Sequence, residues 1–153
     1  MSELKTTSLH DFHLSKNSKM IDFSGWSMPF SYDGTLKEHN YVRNSAGYFD
    51  VSHMGRLRLD YSQIDEINYL ICSDLKNIDN TKALYSIFTS ETGSAIDDVI
   101  FWTFEDELIL ICNASNTLKM KNHLDSYSIK YDDLTQHTDL IAVQGKDALS
   151  VIK

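Results

Sequence analysis

Apolar side chains alternate between helical and extended spacing along this chain, and each change of period predicts a new element. Residues 7–16 predict a short helix with Thr7 or Ser8 as its N-cap. Residues 20–23 predict a short strand running into Gly25-Trp26-Ser27-Met28-Pro29, read as a turn that carries large apolar side chains. Thr35 is placed to cap a helix bearing Leu36, His39, Val42 and Ala46, with Gly47 in the C′ position that stops it. The period then changes to two. Leu57, Leu59 and Tyr61 alternate with Arg56, Arg58 and Asp60, which predicts a strand with one wet face.

Ser62 opens a predicted helix with Ile64, Ile67, Leu70 and Ile71 at helical spacing, and Ser62 to Asp65 resembles a capping box. Three extended runs follow, at residues 83–89, 95–104 and 108–113, separated by turn-like segments at 91–94 and 105–107. A helix from residue 115 to about 127, a strand near Ile129, a strand at 140–144 and a helix starting near Lys146 complete the pattern. Neighbouring strands mixed with helices predict an α+β fold with mostly antiparallel sheets and packed helices. The last predicted helix still presents Val151 and Ile152 where the sequence stops, so the expectation is an N-terminal piece of a longer protein.

Composition narrows the function class. The 153 residues carry 14 basic and 22 acidic side chains, a net charge of −8. Residues 1–60 balance, seven basic against seven acidic, so the whole excess lies in residues 61–153. No basic cluster dense enough to neutralise a row of phosphates is present, so nucleic acid is not expected as a partner. No apolar run reaches the ~20 residues that span a bilayer, so no membrane partner is expected either. Cys72 and Cys112, without a Cys-x-x-Cys motif, read as two reduced, buried thiols in a cytoplasmic compartment. The start has neither the apolar core of a signal peptide nor the arginines of a mitochondrial transit sequence.

Two segments suggest chemistry. Asp97-Asp98 sits inside the apolar run Ala-Ile-Asp-Asp-Val-Ile-Phe-Trp, where strand geometry sends neighbours to opposite faces. One carboxylate is then available to hold an amine or accept a proton, unless both lie exposed at a hairpin end. Asp50-Val51-Ser52-His53-Met54-Gly55 invites a Ser-His-Asp reading, but catalytic triads assemble from distant segments, and His53 is read as a structural hydrogen bonder. The six histidines show no metal-ligand spacing, and no metal is expected. Trp26, Phe30, Tyr32, Tyr85, Phe101 and Trp102 are able to stack on a flat ring or to fill the core.

Several segments, in order, resemble one family. Asp22-Phe23-Ser24-Gly25-Trp26-Ser27-Met28-Pro29 is similar to its Asp-Phe-x-Gly-Trp-x-Met-Pro signature. Val42-Arg43, Ala46 to Gly55, Lys82 to Ser86, Ile96 to Ile100 and Ala142 to Gly145 follow in the family's sequence order. The family is the glycine cleavage system T-protein, a tetrahydrofolate-dependent aminomethyltransferase, and the likeness runs from about residue 9 to 152.

The resemblance implies the N-terminal portion of a three-domain fold, with residues 1–50 plus 138–153 in an incomplete first domain and 51–137 in the second. It implies transfer of the one-carbon unit of aminomethyl-lipoyl H-protein to tetrahydrofolate, with release of ammonia. It makes Asp98 the catalytic carboxylate and places Met54, Tyr85, Asp98, Trp102 and Asn113 around folate. Trp102 stands where relatives often have Tyr, which keeps stacking and drops a phenol hydrogen bond. Ser94 and Lys146 replace a common Gly and Pro at turns. Other readings of the same likeness are a folate-binding module, a non-catalytic relative or an inactive remnant; a 153-residue piece alone is expected to be inactive.

Overall fold

The computed structural model describes residues 3–78, 82–104 and 107–152. In chain order the regular elements are α1 (His10–Ser15), β1 (Lys19–Phe23), β2 (Trp26–Ser31), α2 (Thr35–Asn44), β3 (Gly47–Asp50), β4 (Gly55–Leu59) and α3 (Ile64–Tyr69). Then come β5 (Ala83–Thr89), β6 (Ala95–Phe104), β7 (Glu107–Cys112), α4 (Thr117–Ser126), β8 (Tyr131–Asp133), β9 (Ile141–Gln144) and α5 (Ala148–Ile152). The named strands pair antiparallel throughout, so the α+β expectation holds. The chain divides into two compact units, residues 1–53 with 138–153, and residues 54–137.

In the first unit β1 and β2 form a hairpin. Ser24 and Gly25 both take positive φ, at 55° and 82°, as a two-residue hairpin turn with right-handed twist requires. The segment from Trp26 to Pro29 is therefore strand, and the turn is confined to the two residues before it. Aromatic and branched side chains suit a pleated surface, and here Trp26 and Met28 point inward, each only 5% exposed. Thr35 does not cap α2. Instead the Glu38 carboxylate reaches back and accepts N–H bonds from Tyr32, Asp33 and Gly34 at 2.7, 2.7 and 2.9 Å. Gly47 opens β3 rather than closing the helix, which ends at Asn44. β3 pairs with β9, so strands 94 residues apart in their Gly47–Ile141 starts are joined by one ladder.

The second unit is a five-stranded sheet in the order β5-β6-β7-β4-β8. Alternation puts Leu57, Leu59, Phe88, Val99, Phe101, Leu108, Leu110 and Cys112 on one face, where Ile67, Met120 and Leu124 of the helices meet them. Burying each such side chain contributes about 1.5–3 kcal/mol, which holds a helix as short as the six-residue α3 that has no independent stability. The predicted capping box at Ser62 is replaced: Asp60 accepts from the Ser62 N–H and starts a 3₁₀ turn, into which Tyr61 is drawn out of the strand. The strand near Ile129 begins at Tyr131, and Ile129 itself lies before it, buried in the core.

Two expectations about surface fail. Arg56 is not on a wet face but 4% exposed, its guanidinium donating to the Met54 carbonyl at 2.8 Å and the Thr135 carbonyl at 2.5 Å. Cys72 is exposed, while Cys112 is buried as expected, and burial pushes its thiol pKa up to about 11. The predicted turn at residues 105–107 falls mostly outside the described residues, and Glu107 already belongs to β7. Among the described residues no helix is long and apolar enough to cross a membrane.

β5 and β6 are in register from Ala83↔Trp102 to Phe88↔Asp97, but the next pair is Thr89↔Ala95. Ile96 is thus an extra residue, a bulge that shifts the phase of β6.

Candidate functional site

The bulge leads directly into the acidic pair. Asp97, opposite the buried Phe88, turns inward and is 5% exposed; Asp98, opposite Ile87, is exposed on the other face. A buried carboxylate costs several kcal/mol unless donors replace its water. Asp97 has three. Its Oδ2 accepts from the Asn113 backbone N–H at 3.2 Å, and its Oδ1 accepts from Asn113 Nδ2 at 2.9 Å and Asn116 Nδ2 at 2.6 Å. The same Asn113 Nδ2 donates to Asp98 Oδ1 at 3.0 Å and to the Asp98 carbonyl at 3.2 Å. Asn113 follows the end of β7, and Asn116 closes the 3₁₀ turn that leads into α4.

Beside Asp98 the outer face carries aromatic surface. Tyr85, 59% exposed, places its hydroxyl 3.4 Å from Asp98 Oδ2, a long contact for an O–H donor. Desolvation first, and the Asp98 carboxylate second, push the Tyr85 phenol above its usual pKa and keep it a donor. Trp102, 43% exposed, pairs with Ala83 and lies on the same face two alternations along β6. Ile100 separates it from Asp98. Met54 precedes Gly55, which pairs with Cys112, the neighbour of Asn113; the register therefore puts Met54 at the same end of the sheet.

Asp98, Tyr85 and Asn113 are thus joined by hydrogen bonds, Trp102 shares their face, and Met54 is placed by strand register alone. Asn116 escaped sequence reasoning, although an Asn-x-x-Asn spacing after an apolar strand, with an acidic pair nearby, was its available signal.

In the first unit the Ser-His-Asp reading is replaced by a different cluster. Ser52 uses its backbone N–H to donate to Asp50 Oδ1 at 2.9 Å, and its hydroxyl meets the Leu140 backbone. The histidine that meets Asp50 is His13, at 2.9 Å, while His53 packs edge-on against Phe23. Thr7 donates to Asp50 Oδ2 at 2.7 Å, and Tyr32 stands 2.7 Å from His13 Nδ1. Desolvation raises the Asp50 pKa, but hydrogen bonds from His13, Ser52 and Thr7 outweigh it and hold the pKa below the usual carboxylate value. An ionised Asp50 accepts only, so His13 carries a proton on Nε2 and, when neutral, accepts from the Tyr32 hydroxyl. No three or more His, Cys, Asp or Glu side chains among the described residues converge as a metal set.

The family described as GCVT N-terminal domain matches residues 9–153. Aminomethyltransferase from Thermotoga neapolitana is 34% identical over 148 residues, which cover 93% of this chain and 41% of that protein. The crystal structure of glycine cleavage system aminomethyltransferase T from Bartonella henselae superposes with a TM-score of 0.89 at 29% identity, covering 97% of this chain and 43% of that one. The chain thus spans less than half the length of the relatives it matches. With the motif order, the antiparallel α+β architecture and the comparisons in agreement, this chain belongs to the GCVT N-terminal domain family.

Proposed function

We propose that the chain forms the tetrahydrofolate-facing part of an aminomethyltransferase that takes the one-carbon unit of aminomethyl-lipoyl H-protein. In that reaction the methylene leaves sulfur and nitrogen for two tetrahydrofolate nitrogens, whose protons end on the dihydrolipoyl thiol and on ammonia. The residues fit such a substrate: a flat ring system has the exposed faces of Tyr85 and Trp102 to lie against, and a substrate nitrogen has the exposed Asp98.

The observation that carries the reading is the division of labour within the acidic pair, one carboxylate buried and the other offered on the aromatic face. Asp98 faces a substrate amine, holds or accepts its proton, and stabilises positive charge developing on it. Tyr85 and Asn113 hold that carboxylate from either side. Trp102 and Met54 supply apolar lining. On this reading residues 1–50 with 138–153 serve the first domain of the family fold and 51–137 the second, and the protein works in the cytosol.

The test uses the full-length protein containing this chain, with loaded H-protein and tetrahydrofolate. Methylenetetrahydrofolate is expected, and Asp98→Asn is expected to slow its formation by about 10²–10⁴-fold. No product above the uncatalysed rate overturns the activity; an Asp98→Asn protein as fast as its parent overturns the assignment of Asp98.

A further inference from the structure

Asp97 has no access to a substrate, yet it holds more donors than its exposed neighbour. Its side chain is buried, and Asn113 and Asn116 both aim their amide nitrogens at Oδ1. An asparagine amide has a donating and an accepting end, and which end faces a neighbour is decided by its other partners. An ionised carboxylate can only accept. Asp97 therefore fixes the Asn113 amide with nitrogen toward the acidic pair, and that same nitrogen reaches Asp98 Oδ1 at 3.0 Å. Rotated the other way, the amide oxygen would face Asp98 and repel it.

An exposed aspartate on a strand is otherwise free to change rotamer. Held at Oδ1 by Asn113, Asp98 leaves Oδ2, on the Tyr85 side, as the oxygen presented outward. We propose that Asp97 is a positioning residue: with Asn116 it locks the Asn113 amide, which in turn sets the orientation of the Asp98 carboxylate. The inference rests on the reading that Asp98 is the reacting group. A buried acid needing only solvation has no requirement that one donor be shared with a second acid, as Asn113 Nδ2 is shared between Asp97 and Asp98.

The experiment is a mutant cycle in the full-length protein, with turnover, tetrahydrofolate affinity by calorimetry, and melting temperature measured for each variant. Asp97→Asn keeps size and removes the accept-only character. It is expected to lower kcat by about tenfold to a hundredfold through misplacement of the reacting carboxylate, with folate affinity near the parental value. In the Asp98→Asn background the same change is expected to cost nothing further, because the residue acts through Asp98. A merely structural role would instead multiply the two losses. Asn116→Ala, which removes one donor from Asp97 at a half-buried site, is the second probe if Asp97→Asn does not fold; it is expected to reduce kcat and likewise to be silent without Asp98. A crystal structure of either variant is expected to show the Asn113 amide or the Asp98 carboxylate rotated.

Parental kcat in both variants, or losses that multiply with Asp98→Asn, overturns the positioning role while leaving the catalytic reading intact. Parental turnover in Asp98→Asn itself is the distinct result that removes the catalytic reading, and the positioning role with it.

Discussion

His13 and Asp50 lie 37 residues apart in sequence, yet Nε2 of one donates to Oδ2 of the other at 2.9 Å, both side chains almost completely out of water. Thr7 and the Ser52 N–H add their bonds to the same carboxylate, so α1, the end of β3 and the segment before α1 share one polar centre. Its removal leaves three donors with nothing to meet.

Asp50→Ala is therefore expected to destabilise the protein by about 3–5 kcal/mol, the cost of breaking a buried pair from one side. Urea denaturation checks this, with Trp102→Phe as the background so that the buried Trp26 reports alone. The pH dependence has a definite sign. Because the folded pKa of Asp50 is depressed, its stabilisation is complete above the unfolded carboxylate pKa of about 3.9 and is lost as pH falls through the folded value. Asp50→Asn is expected to flatten the acid limb of the stability curve relative to the parent.

The two thiols differ in reactivity for physical reasons. Cys112 is fully buried with a pKa pushed up to about 11, whereas Cys72 is exposed. The thiolate is the nucleophile, so iodoacetamide at neutral pH is expected to label Cys72 and spare Cys112 until denaturant is added. Mass spectrometry of the digested protein reads both sites, and labelling of Cys112 in the native state would contradict the packing described.

Gly145 follows β9 with φ of +118°, a region closed to side chains, and a Cβ there would lie 2.7 Å from the Val42 carbonyl oxygen and closer still to that of Ser45. Both obstacles are backbone. Gly145→Ala is expected to cost at least about 2 kcal/mol, from backbone strain and overpacking together, read as a lower urea midpoint. Gly93, also at positive φ but with open space around it, is expected to lose only the strain contribution.

Trp102 supplies an optical test of the aromatic face. It is 43% exposed, and Trp26 is buried. Tetrahydrofolate binding to the full-length protein is expected to quench tryptophan emission, and Trp102→Phe is expected to abolish most of that change while weakening binding by about 0.5–1.5 kcal/mol. An undiminished quench in Trp102→Phe places the folate elsewhere.

Local signals in the sequence carried the sheet of the second unit. Its strands alternate cleanly at Leu57 and Leu59, at Val99 and Phe101, and at Leu108 and Leu110, and such alternation reads directly as a buried face. Some local signals were outcompeted by others close by in the chain. The segment from Gly25 to Pro29 reads as a turn from sequence, yet Trp26 to Pro29 pair with Phe23 to Met20, and Pro29 sits opposite Met20 at the irregular start of the β1 ladder. The expected caps differ because acids outcompeted hydroxyls: Glu38 serves the start of α2 from inside the helix, and Asp60 serves the turn that Ser62 was expected to begin. The acidic pair was legible, since two-residue periodicity alone separates neighbours. His13 was not, because its partner lies 37 residues away and no periodic pattern reports such a contact, and Asn116, 19 residues from its partner, had only its spacing from Asn113 to mark it.

The bulge at Ile96 decides which acid the protein offers to its surroundings. Were β5 and β6 paired without it from Thr89↔Ala95 onward, Asp97 would fall opposite Ile87 and Asp98 opposite Ser86. The two carboxylates would exchange places, with charge, composition and strand count unchanged. One surplus residue thus acts as a phase selector: the same slip would also turn Val99 and Phe101 out of the core, so the bulge and the apolar alternation of β6 together hold Asp97 inward and Asp98 outward.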